Sequence, residues 1–127
     1  MRNNHSYTVY VRSAVTTIKQ YLSKYPFKHK TCSELMKKKA TVNRRILEQA
    51  FKQEYGYTIK EYQVRQRLIA ARLLLLEGIP MKQVAAQCYY SSQSAFSRAF
   101  KKEFNITPTD WLQSETISLH GKKIKQQ

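Results

Sequence analysis

Glycine and proline are scarce, three of each in 127 residues, so the chain lacks the turn chemistry that a many-stranded sheet needs. Acidic residues are scarce too: eight Asp and Glu stand against 23 Lys and Arg, a formal net charge of +15. That balance disfavours a basic partner and points to phosphate, because a surface this positive concentrates polyanions. Only two cysteines occur, Cys32 and Cys88, too few for a disulfide scaffold, and both are expected as reduced thiols. The three histidines, His5, His29 and His120, fall at no metal-ligand spacing, so no metal and no cofactor are expected. Apolar runs stay well short of the roughly 18 residues of a spanning helix, and Met1 to His5 lead into no signal-peptide core. No His is paired with a nucleophile, and clustered carboxylates and a Gly-rich phosphate loop are both missing, which argues against an enzyme.

What is present is an apolar fraction of 42% and an abundance of Leu, Lys, Gln, Ala and Arg, so an all-α fold of about seven helices is expected. Val11, Val15, Ile18 and Leu22 make an apolar stripe over about 8–25, ended by Pro26. Thr31 to Glu34 have capping-box spacing and open a short helix through about Lys39. Asn43 is an N-cap for a helix through Tyr55, burying Leu47, Ala50 and Phe51. Thr58-Ile59-Lys60-Glu61 is a second capping box, opening a helix that runs to Gly78, about 28 Å at 1.5 Å per residue. Pro80 starts another short helix, to about Cys88. Ser91 or Ser92 caps a helix carrying Phe96, Phe100 and Phe104, and Thr107-Pro108-Thr109-Asp110 opens a final short one with Trp111 and Leu112. Beyond about Ser118 a frayed basic tail is expected.

The stretch Ala50-Phe51-Lys52-Gln53-Glu54-Tyr55-Gly56-Tyr57-Thr58 recurs 49 residues later as Ala99-Phe100-Lys101-Lys102-Glu103-Phe104-Asn105-Ile106-Thr107. Each copy reads as a helix end, with a Phe anchored in a core and Gly56 or Asn105 as the left-handed residue that stops the helix. Each is preceded by a short helix and a tight turn. The chain therefore divides into an N-terminal helix-turn-helix subdomain (1–57), a linker helix (58–77), a C-terminal helix-turn-helix subdomain (78–118) and a basic tail (119–127).

In a helix-turn-helix the first helix braces the second, whose exposed N-terminal residues meet base edges in the major groove. Those residues are Arg44, Arg45, Glu48, Gln49 and Lys52 in the first unit, and Gln93, Ser94, Ala95, Ser97, Arg98 and Lys101 in the second. Arg can donate twice to guanine, Gln pairs with adenine, Glu accepts from cytosine and Ala meets a thymine methyl. Lys37, Lys38, Lys39, Arg44, Lys52, Lys82 and Lys101, with Lys28 and Lys30, are candidates for phosphate contacts that fix register. Successive major grooves lie roughly 34 Å apart, close to the length of the middle helix, so one chain is expected to reach two of them.

The run Val84-Ala85-Ala86-Gln87-Cys88-Tyr89-Tyr90-Ser91-Ser92-Gln93-Ser94-Ala95-Phe96-Ser97-Arg98-Ala99-Phe100, continuing to Pro108, resembles the signature of AraC/XylS-type transcription regulators. Arg67, Leu68, Ala71 and Leu74-Leu75 fit that family's linker helix, and the resemblance spans about 8–114. It implies base contacts at Arg45, Glu48 and Gln49 in the first unit and at Gln93, Ser94, Ala95, Ser97 and Arg98 in the second, a double-stranded promoter site as partner, recruitment of RNA polymerase by an activator, and a monomer like the family's small single-domain members. A cytoplasmic, nucleoid-associated protein with no membrane partner and no small-molecule effector is expected. The other reading is a nonspecific or architectural nucleic-acid-binding module, or a protein-interaction module. Of three departures from the family, Asn105 replaces a second family Gly and tolerates the left-handed conformation, and the other two carry structural expectations. Tyr89 stands where the family usually has Gly, so the turn of the second unit is expected to be altered. One extra residue between Leu35 and Asn43, with Met36 or Lys37 in place of a preferred Ala, is expected to shift the brace helix of the first unit.

Overall fold

Helix caps set the boundaries in the computed structural model, which describes the backbone of residues 8–39 and 42–126 and the side chains of these except 34, 38, 39 and 119–126. Seven helices and no strand occur among the described residues: α1 (Val9–Lys24), α2 (Cys32–Lys39), α3 (Arg44–Tyr55), α4 (Ile59–Leu76), α5 (Met81–Gln87), α6 (Gln93–Phe104) and α7 (Pro108–Gln126). Thr8 Oγ1 accepts from the Val11 amide and Asn43 Oδ1 from those of Arg45 and Ile46, satisfying donors that a first helical turn leaves open. Thr58 and Glu61 bond reciprocally, each side chain accepting from the other's amide at 3.0 and 2.8 Å. Ser92 and Thr107 cap α6 and α7 by accepting from the amides of Ala95 and Asp110, so Ser92, not Ser91, is the cap.

The chain forms two compact units, residues 1–67 and 68–127. In the first, α1 contributes Val15, Ile18 and Leu22, α2 Leu35 and Met36, α3 Leu47, Ala50 and Phe51, and the start of α4 Ile59 and Tyr62, all buried in one cluster. The second buries Leu68, Ala71 and Leu75 from the end of α4 with Val84, Ala85, Cys88, Phe96, Phe100 and Pro108. Phe51 and Phe100 are completely buried, and truncating either to Ala should cost about 3–5 kcal/mol.

The 49-residue repeat is structural as well as sequential. The Phe51 ring lies 4.8 Å from Tyr55 and 5.9 Å from Tyr62, and 49 residues later Phe100 lies 4.7 Å from Phe104 and 6.0 Å from Trp111. Each aromatic trio carries a cation from the helix that precedes its brace helix: Lys19 Nζ on α1 sits 3.9 Å over Tyr55, and the Arg72 guanidinium on α4 sits 4.5 Å over Phe104. Such contacts contribute about 0.5–2 kcal/mol. Leu35 and Val84, 49 apart, are both fully buried in their brace helices. Eight residues separate Leu35 from the cap Asn43 and Val84 from the cap Ser92. The buried residue of the first brace helix thus stands at the same spacing from its cap as that of the second. Residues 40 and 41 of that connection lie outside the described residues.

Gly56 and Asn105 end α3 and α6 in the left-handed region, at φ of 85° and 63°. The turn of the second unit corrects an expectation. Tyr89 has φ 68°, so the left-handed turn is kept and the side chain is accommodated in it. Its amide bonds the Ala86 carbonyl and that of Tyr90 the Ala85 carbonyl, both at 3.0 Å, the paired bonds of a Schellman motif. Gly78 and Ile79 close α4 with the same pair, to Leu75 and Leu74 at 3.1 and 3.2 Å. One motif therefore occurs once with Gly and once with Tyr, and the Tyr version carries about 1–2 kcal/mol of backbone strain. The backbone of α7 also departs from expectation. It stays helical to Gln126, where a short helix and frayed tail were expected.

Candidate nucleic-acid interface

In α3 the apolar residues that enter the core, Leu47, Ala50 and Phe51, leave the opposite face to solvent. Arg44, Arg45, Glu48, Gln49 and Lys52 are all exposed there. Glu48 Oε2 accepts from Arg44 Nε at 3.2 Å, one turn away. This exposed pair adds little stability, but it engages the carboxylate expected to meet cytosine. In α6 the buried Phe96 and Phe100 likewise set the opposite face outward. Gln93, Ser94, Arg98 and Lys101 are exposed, whereas Ala95 and Ser97 are half-buried at the edge of that face. Lys37 and Lys82 are exposed on the brace helices, as are Lys28 and Lys30 in the loop before α2. The side chains of Lys38 and Lys39 lie outside the described residues.

Within the first unit these side chains border a groove of about 1080 Å³ between the start of α2, the outward face of α3 and the first turns of α4. Its floor is polar and internally bonded. Arg67, only 7% exposed, donates to the carbonyls of Pro26, His29 and Lys30, and Gln63 Nε2 donates to the His29 carbonyl at 3.1 Å. The Cys32 thiol donates to Gln63 Oε1 at 3.0 Å. Burial pushes this thiol above its ordinary range, against the opposing pull of the Arg67 charge. His29 is itself buried, with its ring Nε2 3.0 Å from the Tyr21 hydroxyl. Sequence reading missed this clamp, because a side chain bonding carbonyls 37–41 residues away leaves no periodic trace.

Among the described residues no three His, Cys, Asp or Glu converge on a metal-sized site. No described helix is long and apolar enough to cross a membrane.

Two brace-and-reader helix pairs, each with a capped second helix presenting polar and cationic side chains, define a paired helix-turn-helix protein. A family profile described as "Helix-turn-helix domain" matches residues 36–114, and the chain belongs to the AraC-type helix-turn-helix family. Among curated relatives, the HTH-type transcriptional activator RhaS of Salmonella arizonae is 33% identical over 85 residues, 66% of this chain and 31% of that protein. The F1 operon positive regulatory protein of Yersinia pestis is 39% identical over 70 residues, 54% of this chain and 23% of that protein. The chain thus spans less than a third of the length of each of these two relatives. Among solved structures, the C-terminal domain of AraT, a response regulator from Geobacillus stearothermophilus, is 27% identical with a TM-score of 0.67, covering 84% of this chain and 86% of that one. The xylose-binding transcription activator XylR is 26% identical with a TM-score of 0.70, covering 80% of this chain and 27% of that one.

Proposed function

We propose that the chain is a sequence-specific double-stranded DNA-binding transcription regulator that lays α3 and α6 into successive major grooves. The observation that carries this reading is the repeated unit. Twice, 49 residues apart, a capped 12-residue helix buries a Phe on one side and offers hydrogen-bonding side chains on the other. A solvated face explains one such helix; the same face at the same point of two units fits a polyanion with two equivalent grooves. Arg45, Glu48 and Gln49 read one half-site, and Gln93, Ser94, Ala95, Ser97 and Arg98 the other. Lys37, Lys38, Lys39, Arg44, Lys52, Lys82 and Lys101 hold phosphates.

Because the two reading faces differ in sequence, the site is asymmetric and one chain occupies it as a monomer. The relatives named as activators support an activator that contacts RNA polymerase, acting in the cytoplasm without a small-molecule effector. Selection from random duplex DNA at a stated salt concentration tests the reading. It should return one asymmetric site spanning about two helical turns. A flat base profile would replace it with nonspecific nucleic-acid binding.

A further inference from the structure

The two units carry very different charge. Residues 1–67 hold 15 Lys and Arg against four Asp and Glu, a formal +11; residues 68–127 hold eight against four, a formal +4. The groove of the first unit is where this excess converges. Lys30 and Lys60 line it together with Arg45 and Lys52 from the outward face of α3. None of these four has an ion-pair partner among the described residues. The Lys30 backbone is fixed, since its carbonyl accepts from Arg67 at 2.7 Å, so only its side chain has to be ordered on binding. In the second unit the positions 49 residues on from Lys30 and Lys60 are Ile79 and Thr109, both uncharged. Lys52 alone of the four keeps a cationic counterpart at that spacing, Lys101.

We infer that the units divide the work on DNA. Lys30 and Lys60, beside the reading face of α3, bind backbone phosphates bordering the major groove that α3 enters, and the first unit supplies most of the salt-dependent affinity. The second unit contributes mainly base discrimination. The engagement of Glu48 by Arg44 fits this division, because it occupies one reader of the first unit. Phosphate oxygens suit Lys30 and Lys60 because these are flexible ammonium groups, while the floor donors beside them are already bonded to carbonyls. This inference rests on the DNA-binding reading above.

The test measures the dissociation constant of the full chain over a range of salt concentrations, on its selected duplex and on an unrelated one. Each neutralised phosphate contributes about 0.9 to the slope of log affinity against log salt. Lys30→Ala and Lys60→Ala should each lower the slope by about 0.9, and together by about 1.8, equally on both duplexes. Thr109→Ala should leave the slope unchanged, and Arg98→Ala should narrow the affinity ratio between the duplexes. Both lysines are exposed, so circular dichroism should report an unchanged fold. An unaltered slope in the double variant, with Arg98→Ala still narrowing the ratio, would overturn the two phosphate ligands and leave DNA reading standing. A wild-type chain that binds neither duplex would overturn both.

Discussion

Replacing Arg67 with Met removes a buried guanidinium while keeping most of the aliphatic stem, and so isolates the clamp beneath the loop before α2. Three main-chain carbonyls, of Pro26, His29 and Lys30, lose their donor. The His29 carbonyl retains a second donor, Gln63 Nε2. A hydrogen bond to a charged group contributes about 1.5–3 kcal/mol net. The three share one donor and the loop carbonyls can be partly rehydrated, so the total should be nearer 3 kcal/mol than the sum. For a unit of this size, about 3 kcal/mol corresponds to a Tm lower by at least about 12 °C. Arg67→Lys should fall between, because one ammonium cannot reproduce the forked geometry of three bonds. Thermal and urea unfolding followed by circular dichroism give the magnitude, and amide exchange gives the place. Exchange should accelerate at residues 28–36 more than in α5 and α6. A loss below about 1 kcal/mol, or acceleration confined to the second unit, would refute the claim that Arg67 holds this loop.

Three further predictions address other parts of the chain. Arg98→Ala should cost about 1–3 kcal/mol on the preferred DNA and relax one base position, read by titration against a panel of single-base variants. Gly56→Ala meets no atom within 4 Å but keeps φ 85°, so strain alone should cost about 1–2 kcal/mol in urea unfolding. Gly56→Asn, as at Asn105, should cost less than half of that. The raised Cys32 thiol means that folding favours the protonated form. Its stabilisation is present below the ordinary thiol range and is lost as pH rises through the folded value. Iodoacetamide should therefore label native Cys32 near pH 8 more slowly than the urea-unfolded chain.

The elements whose signals are local were legible in the sequence. Asn43, Thr58, Glu61, Ser92 and Thr107 act within three residues of themselves, and the structure places each as the expected cap. Gly56 and Asn105 were legible because few residues tolerate positive φ. Tyr89 was not, since its propensity opposes the conformation it adopts; the paired bonds of the Schellman turn override that propensity. The extent of α7 was misjudged at Gly121, which marks a helix end by type yet lies within the helix. In the reading faces, exposure of Arg45, Gln49, Gln93, Ser94 and Arg98 followed from periodicity. The half-burial of Ala95 and Ser97, and the pairing of Glu48 with Arg44, depend on neighbours that periodicity does not name. The groove between α2, α3 and α4 was illegible for the same reason, its lining residues Lys30 and Lys60 being about 30 residues apart.

Hydroxyl-radical footprinting of the chain on its selected duplex tests the central claim most directly. Two reading helices predict two protected windows on one face of the DNA, about one helical turn apart, with Arg98→Ala weakening only one of them. A single window, or even protection along the whole duplex, would contradict it.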